Sequence, residues 1–139
     1  MRWIGVTALA LALGGCGGPK AVSADGAWVR LAAVPGRPAA GYFALHGGAA
    51  DATLIAVRAT GAAKAELHES MAAGMRAIPT VPVPAGGTVA FQPGGRHVML
   101  FDVDPHLTPG KAMPLHLVLA DGRTLHTDAR VVGAADPAP

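Results

Sequence analysis

One cysteine, Cys16, is all this 139-residue sequence holds, and it sits close to the first residue. A lone thiol there excludes a disulfide framework, a zinc–thiolate cluster and a blue-copper centre. Charge of one sign is also scarce. The formal net charge is +2, with no basic cluster. That argues against a nucleic-acid partner and against an electrostatic membrane patch. The sequence contains no phosphate-cradling loop, no Ser-His-Asp spacing and no carboxylate pair flanking an evident cleft, so an enzyme is not expected. Aromatic residues make up only 4%. What is abundant is Ala, Gly and Pro. The 19 Gly and 12 Pro break up any long helix and favour short strands joined by turns.

The opening stretch, MRWIGVTALALALGGC, has a charged Arg2, an apolar run from Trp3 to Leu13, and small residues before Cys16. It is too short for a permanent span and reads as an export signal over residues 1–15. Leu13-Gly14-Gly15-Cys16 resembles a lipobox, which makes Cys16 the predicted lipidation site. The lipid would hold the protein on a bacterial membrane from the periplasmic side and would consume the only thiol. Residues 16–26 read as a lipidated tether, 27–132 as one domain and 133–139 as a flexible tail.

Within the domain, AWVRL (27–31), Tyr42 to His46 and Asp51 to Ala59 read as strands. KAELHES alternates and ends in a turn. MRAIPTVPV is strand-like, but its prolines place it at an edge. TVAF and RHVMLFDV follow, and the chain closes in a hairpin around Asp121-Gly122. About seven to eight short strands with closely spaced turn signals indicate an all-β sandwich or small Greek-key barrel.

Histidine and methionine gather in the middle third. His97 and Met99 alternate with Val98 and Leu100, so the first two share one face while the others face a core. LHESMAAGM adds His68, Met71 and Met75. Thioether sulfur is soft and uncharged, and neutral imidazole is a good copper ligand. Two thioethers with one or two imidazoles suit tetrahedral Cu(I) and suit Zn(II), Mg(II) or Ca(II) poorly. The bland alternative is methionine as core filler. It explains Met99 poorly, because Val98 and Leu100 already supply the core face.

These residues resemble the periplasmic copper chaperone family PCuAC, whose members carry a His, a Met and then a His-x-Met. Twenty-one residues lie between Met75 and His97, as in the family, and His97-Val98-Met99 matches the His-x-Met. VPAGG (Val83 to Gly87) and PGG (Pro93 to Gly95) fall in register, and the likeness runs from AWVR at Ala27 through GYF at Gly41 to the last hairpin. One departure stands out: six residues separate His68 from Met75, where the family has ten. The resemblance implies a cupredoxin-like barrel with a Cu(I) site formed by His68, Met75, His97 and Met99, with Met71 as a possible extra ligand. It implies a monomeric extracytoplasmic carrier that hands one Cu(I) to an acceptor such as the copper centre of cytochrome oxidase. The other reading is a structural β-sandwich lipoprotein without metal.

The remaining residues are read more simply. Glu66 shares a face with His68 and could orient its imidazole as a hydrogen-bond acceptor, but a solvated strand carboxylate is the expected reading. Trp28, Tyr42 and Phe43 are expected in the core. A register with Leu117 opposite Leu125 sets His116 opposite His126, and the next allowed register sets it opposite Asp128. A facing His pair could bind Cu(II) or Zn(II) weakly, but both histidines are expected to be solvated and outward-facing. His46 and His106 are assigned no role.

Overall fold

The computed structural model describes Lys20 to Pro139. The predicted export signal and Cys16 lie outside the described residues. Ten strands form: β1 (Ser23–Arg30), β2 (Ala39–His46), β3 (Ala52–Ala59), β4 (Ala62–Met71), β5 (Gly74–Ala77), β6 (Val81–Val83), β7 (Thr88–Phe91), β8 (Arg96–Val103), β9 (Ala112–Leu119) and β10 (Thr124–Val132). No helix occurs among the described residues.

The strands join one sheet in the order β5-β4-β8-β7-β2-β1-β10-β9-β3-β6, with β8 also pairing β2. β2 is shared. Its first half pairs β8 at Ala39 to Gly41, and its second half pairs β7 from Phe43 to His46. The sheet folds over so that both halves fill one core. Leu67, Val98 and Leu100 from one half meet Leu54, Val57, Leu115 and Leu117 from the other. Val98 and Leu100 are fully buried, as the alternation in β8 requires. Gly61 turns the corner from β3 to β4 at φ +98°, a left-handed conformation that glycine adopts without a Cβ penalty.

Several expectations are corrected. The stretch read as tether up to Gly26 enters the sheet at Ser23, and Val22 is already buried. Gly26 is not a boundary. It takes φ +61° where the β1–β2 register shifts between Asp25 and Trp28, the signature of a bulge. MRAIPTVPV is two strands, because Pro79 lies in the gap between β5 and β6. Both of those strands end the sheet, and Pro82 sits in the edge strand β6, where its missing N–H is tolerated. The count is therefore ten, not seven to eight. In the segment after Val132 the Asp136 carboxylate accepts from Gly133 N–H at 2.6 Å, and the Ala134 carbonyl accepts from the Arg30 guanidinium at 3.4 Å.

Candidate metal centre

β4, β5 and β8 are neighbours, and their registers decide which side chains share a face. Glu66 pairs with Met99 and His68 with His97 between β4 and β8. His68 pairs with Ala77 and Ser70 with Met75 between β4 and β5. Directly paired residues project to the same side. Glu66, His68, Met75, His97 and Met99 therefore share the face turned away from Val98 and Leu100. Met71 pairs with Gly74, one residue out of phase, and falls on the other face.

The two imidazoles form the centre of this group, with ring centroids 5.8 Å apart. Each has one nitrogen engaged. His97 Nδ1–H donates to the Gly95 carbonyl at 3.1 Å. His68 Nε2–H donates to Glu66 Oε2 at 3.0 Å. Glu66 takes the orienting role rather than the expected solvated one: it holds the His68 ring, and that hydrogen bond, with help from Lys64, pulls its carboxyl below the ordinary carboxylate range. The opposite nitrogens, His68 Nδ1 and His97 Nε2, are buried and have no hydrogen-bond partner. With the first nitrogens protonated, these two carry bare lone pairs. His97 is only 4% exposed and the His68 side chain 16%.

A carbonyl or carboxylate behind each imidazole is the arrangement that orients ligating histidines and fixes their tautomers. The donors facing forward are imidazole nitrogen and thioether sulfur, which match a soft monovalent copper ion better than a hard cation. Among the described residues there is no cluster of three or more His, Cys, Asp or Glu, so the set is completed only by methionine. Met99 lies beside Ala40 of β2, which packs against Trp28, Tyr42 and Val132. This small cluster is separate from the main core that holds Phe43. It borders the face on the β2 side. On the far side Met75 stands on the edge strand, 60% exposed.

The shortened hairpin leaves His68 in place. It turns tightly through Ala72 and Ala73, four and five residues beyond His68, and His68 remains mid-strand opposite His97. Sequence reasoning passed over the Gly95 carbonyl; the Gly94-Gly95 turn immediately before His97 was its only signal.

A family model described as "Putative lipoprotein LpqE-like" matches residues 22–131. The chain belongs to the LpqE-like family. This LpqE-like chain is 29% identical over 131 residues to "Putative lipoprotein Lxx21020" of Leifsonia xyli subsp. xyli, an overlap of 87% of this chain and 78% of that protein. Among solved structures it resembles the copper-bound PCuAC domain from PmoF2, with a TM-score of 0.69 and 22% identity over 84% of this chain and 96% of that one. It also resembles the Cu(I) form of DR1885 from Deinococcus radiodurans, with a TM-score of 0.63 and 28% identity over 81% of this chain and 77% of that one. The apo form of DR1885 matches 96% of this chain and 92% of its own at a TM-score of 0.62 and 28% identity. The LpqE-like chain thus has the cupredoxin-like fold of PCuAC domains.

Proposed function

We propose that this protein is an extracytoplasmic copper(I) metallochaperone that binds one Cu(I) through His68, Met75, His97 and Met99. The observation that carries the reading is the pair of buried, partnerless ring nitrogens, His68 Nδ1 and His97 Nε2, on neighbouring strands beside Met99. Copper is cargo here, and the chemistry is ligand exchange. The two imidazoles and Met99 form the inner, sheltered part of the site. Met75, on the exposed edge, is the donor that an acceptor's ligands displace first. Glu66 and Gly95 hold the rings in the ligating tautomer throughout, so transfer requires no proton movement at either ring. Copper binding by the DR1885 and PmoF2 relatives supports the assignment. The lipoprotein character of the family supports anchoring through Cys16 on the periplasmic side of a bacterial membrane. An acceptor in cytochrome oxidase assembly fits a carrier in that location.

Anaerobic titration with Cu(I) against a chromophoric chelator tests this. Tight one-to-one binding is expected. His97→Ala and Met99→Ala should each lower affinity by about tenfold or more. Met75→Ala should weaken binding while leaving the circular dichroism spectrum unchanged. Failure of the wild-type chain to compete with the chelator would overturn the reading and favour a structural lipoprotein.

A further inference from the structure

A second histidine pair lies on the other half of the sheet. The β9–β10 register sets Leu117 opposite Leu125 and His116 directly across from His126. The two Nδ1 atoms are 2.7 Å apart, and the rings meet edge to face, 4.7 Å between centroids at 87°. On the other side of the His116 ring, Nε2 lies 3.2 Å from Thr60 Oγ1. In the tautomer where Nε2 carries the proton, the hydroxyl accepts from Nε2–H and a lone pair is left on His116 Nδ1. That lone pair accepts the Nδ1–H of His126.

Two imidazole nitrogens so close are spaced like adjacent ligands of one metal ion. With metal–nitrogen bonds of about 2.0 Å, a right angle between them separates the nitrogens by about 2.8 Å, and a tetrahedral angle by about 3.3 Å. The observed spacing fits the right angle. Square-planar nitrogen and oxygen coordination is a copper(II) preference, and copper(II) also heads the divalent affinity order. We propose that His116 and His126 form a second metal site, one that takes copper(II) through both Nδ1 atoms.

Binding requires a tautomer shift at one ring, with no net loss of a proton and no change of oxidation state. The His126 proton moves from Nδ1 to Nε2, and both Nδ1 lone pairs turn to the ion. Thr60 holds the His116 ring in the ligating tautomer, the role that outer hydrogen-bond partners play at metal sites. Charged residues share this face. Arg58 of β3 is the cross-strand partner of His116, and Asp128 and Arg130 lie two and four residues beyond His126 on β10. Asp128 sets one negative charge between the pair and Arg130. No thioether is present, so soft Cu(I) has no preference for this pair over the Met-containing face. Only two protein donors are supplied, and the remaining positions belong to water, as suits an ion arriving hydrated on an exposed strand.

The test is a copper(II) titration of the full chain followed by electron paramagnetic resonance. His116→Ala, His126→Ala and a His68→Ala/His97→Ala double variant are run beside wild type. The expected result is a copper(II) signal with nitrogen hyperfine structure that survives in the double variant. Affinity should fall by about tenfold or more in each of the two single variants. Thr60→Val, which removes the hydroxyl but keeps the shape, should weaken binding by about tenfold through the freed tautomer. Persistence of the signal in His126→Ala, its loss in the double variant alone, or no copper(II) binding by wild type would each overturn the proposal. The proposal is independent of the Cu(I) assignment, which has its own titration.

Discussion

An unpartnered polar atom buried in a protein costs about 1–3 kcal/mol, and this chain maintains two, His68 Nδ1 and His97 Nε2, on adjacent strands. Metal binding would remove that cost, so the apo fold is built in favour of the loaded one. Glu66→Gln tests how much of the arrangement depends on the carboxylate. Loss of the charged acceptor frees the His68 ring, and Cu(I) affinity should fall by about tenfold with no change in fold, read by the same chelator competition. Tyr42 reports on the bordering cluster. Burial raises its phenol pKa above 10.0, only partly offset by the nearby Arg30 guanidinium. Stability drawn from the neutral phenol is complete below 10.0 and is lost as the pH climbs through the raised folded-state value. Denaturant titrations should therefore show a decline above pH 10 that Tyr42→Phe removes. His97 and Met99 were legible as a pair because a period of two fixes their common face. The partner of Glu66 was not, because i, i+2 spacing gives the face but not whether the carboxylate turns to a ring or to water.

Elements place these side chains more firmly than residue preferences do. β8 lies between β4 and the β2/β7 pair, so its alternation is fixed by burial on its inner side. A one-residue slip would bury His97 and Met99 in the core and expel Val98 and Leu100. The turns hold the strands by backbone contact. Gly47 N–H donates to Gly87 O at 2.7 Å, and a Cβ on Gly47 would run into the carbonyl of Pro84. Gly47→Ala should cost about 1–3 kcal/mol, seen as a lower denaturation midpoint with an unchanged slope. Strand identities were largely readable from alternation and turn residues. Their limits were not, where glycine and proline had two meanings. Gly26 looked like a strand's beginning and is a bulge inside it. Pro79 and Pro82 both signalled an edge, but one interrupts the chain and the other sits within β6.

At the scale of the molecule, one core joins both halves of the sheet, and the two histidine pairs lie on strands from different halves. The class of fold was legible from the number and spacing of strands. The pairing order was not, since the parallel contacts of β1 with β10 and β7 with β8 join segments remote or irregular in sequence. Because the proposed Cu(I) ligands are drawn from three strands, loading should raise the stability of the whole. At a free ion concentration one hundred times the dissociation constant, the gain is about 2.7 kcal/mol. Thermal unfolding with and without Cu(I) should show that shift in wild type and not in a His97→Ala/Met99→Ala double variant.

β5 is four residues long, exposed throughout, and ends the sheet, with no strand beyond it among the described residues. Strands of that kind open at a small fraction of the free energy that unfolds a core. The methionine it carries is therefore attached to the part of the fold that comes and goes, while the two histidines and Met99 belong to the part that stays. In the proposed carrier, how long a cargo ion remains aboard would then be set by the peeling of a single short strand, a clock that runs independently of the lifetime of the protein that carries it.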